Sequence, residues 1–201
     1  VRGSKPAPRG VEIIPKKIEV LNAAKTPLPL DFKTKALLDT RLDARFLDLR
    51  KPGIAAIFFI RDHILSAGRQ FLKSQGFIEI HTPKIISTAS EGGTELFPIS
   101  YFEREAFLAQ SPQLYKQMMM ATGFDRVYEI ATYFRAEEHD TIWHLNENTA
   151  FDLEMAFIKD ENDVINILEG IVSSMIASVS KTCKSELDML EKKISAPKKI
   201  L

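Results

Sequence analysis

Nine ionisable side chains crowd into twenty positions in the middle of the chain: Arg135, Glu137, Glu138, His139, Asp140, His144, Glu147, Asp152 and Glu154. Arginine offers a planar, permanently charged fork that fits a carboxylate or a phosphate. Histidine titrates near neutrality, and the acids can accept from an ammonium group or meet a metal ion. A cluster with both signs of charge suits a ligand that carries both signs. A solvated sheet face with opposite charges across its strands would show the same pattern.

The elements that must position these residues follow from period. From Val127 to Glu137, Tyr128, Ile130, Thr132, Phe134 and Ala136 alternate with Glu129, Ala131, Tyr133, Arg135 and Glu137, which predicts a strand. A second strand is expected over 150–158, with Phe151, Leu153, Met155 and Phe157 on one face and Asp152, Glu154 and Ala156 on the other. Closed as a hairpin, the two would bring Arg135 and Glu137 near Asp152 and Glu154.

Helical spacing predicts three further elements around that hairpin. A charged helix is expected over 34–51 with Leu38, Leu42, Phe46 and Leu49 as its stripe, and another over 54–74 with Ile57, Ile60, Ile64 and Phe71, stopped by Gly76. The strongest pattern lies over 159–182, where Val164, Ile165, Leu168, Ile171, Val172, Met175, Ile176 and Val179 share a face. "FIEIHTP" reads as a short strand ended by Pro83, and "STASEGGTE" as a glycine-bearing loop. In "QSPQLYKQMMM", Ser111 and Pro112 fit the cap and first position of a helix.

With 201 residues, 45% of them hydrophobic, the chain suits a full domain plus an appendage. Lys plus Arg and Asp plus Glu both number 27, so net charge points to no class of partner. One cysteine, Cys183, excludes an internal disulfide and suits a reducing compartment; it is expected to be a small buried residue. No contiguous apolar run approaches a membrane span, and "VRGSKPAPRG" lacks a signal-peptide core, so a cytoplasmic protein without membrane contact is expected.

Three stretches in order, "GFIEIHTP", "QSPQLYKQ" and "FRAEEHDTIWHLNENTAFDLEMAF", resemble the catalytic domain of class II aminoacyl-tRNA synthetases, in detail the aspartyl-tRNA synthetases of the archaeal and eukaryotic type. The resemblance implies an α+β fold, an antiparallel sheet flanked by helices and preceded by the end of an OB-fold β-barrel. It divides the chain into an OB remnant over 1–24, a hinge over 25–33 and an incomplete catalytic domain over 34–201. It implies ATP and Mg2+ as cofactors, L-aspartate and tRNA as partners, and a homodimer through motif 1, with Pro83 at the interface.

Residue by residue, the same resemblance gives Arg135 the motif 2 role of bridging the substrate carboxylate and the α-phosphate of ATP. Glu137, His144 and Glu154 fall at ATP-binding positions, Glu154 also near the metal. Glu91, Gln113, Lys116 and Asp152 fall at aspartate-binding positions, with Lys116 set to pair with the side-chain carboxylate. Lysine there suits aspartate better than asparagine, because an unpaired buried ammonium is costly.

Two positions depart from the common pattern. Trp143 stands where many relatives have arginine, and Asn148 where a phenylalanine commonly stacks on adenine. After Glu154 the chain holds one glycine and no arginine, so motif 3 is not found, and the 201 residues look like an internal piece of a longer enzyme that is not expected to catalyse efficiently alone. An asparagine-related ligase or synthetase on the same scaffold, or a non-catalytic tRNA- or protein-binding paralogue, are the competing readings.

Overall fold

The computed structural model describes residues 2–3, 10–31, 35–89, 96–139, 141 and 143–195. It falls into two units, Val1–Lys51 and Pro52–Leu201.

In the first unit β1 (Arg2–Gly3) pairs antiparallel with β2 (Val11–Glu12), and α1 (Leu38–Asp43) and α2 (Arg45–Asp48) follow. No barrel forms among the described residues of this unit. The single helix expected over 34–51 is therefore corrected to two short ones, broken at Ala44, where φ is −106° and ψ 38°. Its expected stripe is corrected too: Leu38, Leu42, Phe46 and Leu49 are exposed, while Ala44 and Leu47 pack with Leu30. The cause is electrostatic. Asp48 is 0% exposed and accepts from Arg41 Nε at 3.1 Å and Arg45 Nη1 at 2.7 Å, with Lys51 Nζ at 3.7 Å, so three cations from both sides of the break converge on one carboxylate. The Arg41 hydrogen bond holds that carboxyl below its ordinary value against the opposing effect of burial.

The second unit begins with α3 (Pro52–Ser74), whose first residue is the proline that a helix start tolerates. Gly76 ends it at φ +80°, as the sequence suggests. Next come β3 (Ile78–Glu79), β4 (Ile85–Ile86), β5 (Pro98–Tyr101), β6 (Arg104–Leu108) and α4 (Gln113–Met120). The hairpin β7 (Arg126–Phe134) and β8 (Glu147–Met155) follows, then α5 (Glu161–Thr182) and α6 (Lys184–Met189). One sheet has the order β3-β7-β8, parallel between β3 and β7 and antiparallel in the hairpin. A second, antiparallel sheet has the order β4-β6-β5.

The core lies between the hairpin and the two long helices. Tyr128, Ile130, Phe151, Leu153 and Met155, all on one hairpin face, pack with Phe71 and Leu72 of α3 and Ile171 and Met175 of α5. The helices approach closely at two glycines: a Cβ at Gly68 of α3 would lie 2.5 Å from Met175 Cε of α5, and one at Gly170 of α5 would strike the Phe71 ring of α3. Asp160 caps α5 by accepting from the Asn162 N–H at 2.8 Å. Cys183 is buried at its end. An 18-residue window of α5 has a mean hydropathy of 1.3, so by length and composition alone this helix could cross a membrane, although it contains no contiguous apolar run of that length. Asn166, Glu169 and its serines break any contiguous apolar run, and one stripe of it packs on α3 and the sheet.

Candidate active site

Lys116 sits one turn into α4, on the same helix face as Gln113. The expected cap is corrected by one residue: Pro112, not Ser111, is the N-cap of α4, although Ser111 Oγ accepts from the Gln113 N–H at 3.3 Å. The Lys116 side chain is 12% exposed; its Nζ donates to Asp152 Oδ1 and, at 3.2 Å, to the Leu153 carbonyl, and lies 3.4 Å from Glu154 Oε2. Asp152 and Glu154 alternate along β8 and so share a face. Two carboxylates around one ammonium leave the cluster one negative charge in excess, which favours a further cationic group beside it.

Arg135 follows β7 directly. Its N–H donates to the Asn146 carbonyl at 2.9 Å, and its guanidinium carbon stands 5.4 Å from the Tyr133 ring centre. Asn146 Nδ2 ties the loop by donating to the carbonyls of Arg135 at 3.0 Å and Glu137 at 3.2 Å. His139 Nε2 is 3.7 Å from Glu137 Oε2, and the His139 and His144 rings stand 4.6 Å apart. Tyr133, Arg135, Trp143, His144 and Asn148 line a cavity of about 190 Å³.

These are two groups of residues, which corrects the expected geometry. The register pairs Asp152 with Glu129 and Val127 with Glu154, whereas Arg135 meets Asn146. Six strand positions, roughly 20 Å at the usual rise, therefore separate Arg135 from Asp152 along the hairpin. Glu91 and Asp140 lie outside the described residues.

A third charged group was not singled out from the sequence. Glu129 is 4% exposed and accepts from Thr82 N at 3.1 Å, Thr82 Oγ1 at 2.7 Å and Lys84 Nζ at 2.7 Å. It thereby clamps the segment bearing Pro83, itself exposed, onto β7. The signal was available, since Glu129 shares its strand face with Arg135. On the opposite face, Tyr128 Oη donates to Glu79 Oε2 at 2.9 Å, and Arg69 Nε reaches Glu79 at 3.2 Å. Burial pushes the Glu79 carboxyl up, but the Tyr128 hydroxyl and Arg69 together bring it below its ordinary value. Burial, then the Glu79 contact, pushes the Tyr128 hydroxyl up to about 12.

Among the described residues no group of three or more His, Cys, Asp or Glu could hold a metal ion. Glu154, the expected metal neighbour, stands against the Lys116 ammonium.

An aspartate–tRNA(Asp) ligase of Pyrococcus horikoshii is 61% identical over 94% of this chain and 44% of its own length. An aspartate–tRNA(Asp/Asn) ligase of Methanothermobacter thermautotrophicus is 58% identical over 98% of the chain and 45% of its own. Among solved structures, asparaginyl-tRNA synthetase from P. horikoshii, complexed with asparaginyl-adenylate, superposes with a TM-score of 0.84 at 32% identity, covering 94% of this chain and 43% of that one. The chain thus spans less than half the length of these relatives. The family description "tRNA synthetases class II (D, K and N)" matches residues 37–200, and the chain belongs to that family.

Proposed function

We propose that the chain is the part of an aspartate–tRNA ligase that grips the amino acid and one end of ATP. A carboxylate oxygen of L-aspartate attacks the α-phosphorus of ATP, taken up as its Mg2+ complex; pyrophosphate leaves and aspartyl-adenylate remains. A ribose hydroxyl at the tRNA 3′ end then attacks the aspartyl carbonyl, and AMP leaves. Arg135 offsets charge on the α-phosphate and the attacking carboxylate, work for a fork that stays charged at every working pH. Glu137 and His144 meet ATP, and Glu91 and Gln113 help hold the amino acid.

The observation that carries this reading is Lys116 between Asp152 and Glu154. An ammonium has three N–H donors. Asp152 and the Leu153 carbonyl take two, and the 3.4 Å approach of Glu154 is loose enough for a substrate carboxylate to compete. The substrate's own ammonium then fits the surplus negative charge. A neutral amide would bring no charge to Lys116, which weighs against asparagine, although the likeness to an asparaginyl-tRNA synthetase keeps that alternative specific. In this reading residues 1–24 close an OB-fold domain, 25–33 form a hinge, and the protein is a cytoplasmic homodimer joined through the Pro83 segment. The exposed Ile57, Phe58 and Phe59 of α3 support the dimer.

Amino-acid-dependent ATP–pyrophosphate exchange on the longest natural form tests the proposal. Exchange with aspartate and little with asparagine is expected; asparagine as the better substrate would overturn the choice of amino acid.

A further inference from the structure

The cavity beyond the last rung of the hairpin holds several rings, and they differ in what already faces them. Tyr133 has the Arg135 guanidinium 5.4 Å from its centre. His139 and His144 face each other at 4.6 Å. Trp143 on the rim is 85% exposed, and among the described residues no ring or cation stands over it. Exposure of so large an apolar surface is unfavourable unless something covers it. Its backbone is nevertheless held: the Trp143 N–H donates to Thr141 Oγ1 at 3.2 Å and the His144 N–H to the Thr141 carbonyl at 3.4 Å, so the turn presents the indole at the cavity mouth. Asn148, across the ladder from Tyr133, lines the same cavity but has no π face, and its Nδ2 donates to the Leu145 carbonyl at 2.6 Å.

We propose that Trp143 is the stacking platform for the purine ring of ATP, an inference that rests on the ligase reading above. A purine needs a flat, polarisable face, and an indole supplies the largest one among side chains. The phosphates would then run inward toward Arg135, which lines the same cavity.

Trp143 is the one tryptophan in the 201 residues, so the emission of this chain reports on it directly. Titration with ATP is expected to quench that emission to saturation, while inorganic tripolyphosphate, which has no ring, leaves it unchanged. In the longest natural form, Trp143→Ala is expected to raise the KM for ATP about ten- to hundredfold. The KM for aspartate should move less than about twofold if the ring acts only on the base, and Trp143→Phe should restore most of the loss. A merely structural role would move both constants together. Unmoved emission in a chain that binds ATP by equilibrium dialysis, or an unchanged KM for ATP in Trp143→Ala, overturns the proposal. So does quenching by an acceptor-end oligonucleotide but not by ATP. Quenching by ATP without any aspartate-dependent exchange in the longest form would leave the stack standing and remove the ligase reading instead.

Discussion

Lys116, Asp152 and Glu154 in the paired middle of the β7–β8 hairpin, and Arg135, His139 and His144 beyond its last rung, draw on the same few residue types but are held by different means. In the middle, side chains hold side chains: Lys116 bonds across to β8, and Glu129, cross-strand from Asp152, is fixed by Thr82 and Lys84. Beyond the last rung one side chain holds backbone, Asn146 Nδ2 donating to the Arg135 and Glu137 carbonyls while the Arg135 N–H donates to the Asn146 carbonyl, and the charged side chains stand more open to solvent. The middle is thus pre-shaped for a small ligand of fixed charge geometry, where misplacement is penalised by unpaired charge. The loop can adjust to a larger, longer one without breaking an ion pair.

Three substitutions can break that contrast. In the longest natural form, Arg135→Ala is expected under the proposed function to lower aspartate-dependent exchange by about a thousandfold, in line with the loss of one charge-stabilising group, with little change in the urea midpoint because Asn146 holds the loop through its carbonyls; retention of near wild-type exchange would remove Arg135 from the chemistry. Lys116→Leu should raise the KM for aspartate by about a hundredfold, an estimate from a lost charged hydrogen bond, and leave that for ATP nearly unchanged. Equal damage to both would mean that the middle and the tip are one site. Glu129→Leu should cost about 2–3 kcal/mol of stability, since it strands the Lys84 ammonium and the Thr82 donors. A urea midpoint that does not move would show the middle to be as solvated as the tip.

Much of this was legible because long elements carry many periods. The hairpin, α3 and α5 each repeat their pattern often enough to override single exceptions. The β4-β6-β5 sheet was not read, because strands of two to five residues offer too few alternations to separate from loop. The break at Ala44 was hidden for another reason: apolar spacing is blind to a buried carboxylate that recruits Arg41, Arg45 and Lys51. The strand face of each charged residue could be read from alternation, whereas their grouping depended on hairpin register. A connection as long as the one between Phe134 and Glu147 leaves register open, so Arg135 could be assigned to the polar face but not to its distance from Asp152.

The smallest effect expected sharpens the contrast between the two faces of the same strand. Tyr128, next to Glu129 in sequence, points into the core and shares Glu79 with Arg69. Its hydroxyl is raised from 10.0 to about 12, so the folded state favours the neutral phenol. A raised folded value means that the stability tied to this proton is fully present below pH 10 and is lost as pH rises toward about 12. Glu79 has the opposite sign: its carboxyl is lowered from 4.5, so its share is present above that value and is lost as pH falls below it. Spectrophotometric titration should therefore show a late phenolate phase that disappears in Tyr128→Phe and moves to lower pH in Glu79→Gln, where the charge opposing ionisation is gone. If Glu79→Gln leaves that phase in place, burial alone holds the proton, and the Arg69–Glu79–Tyr128 chain does not couple α3 to the hairpin.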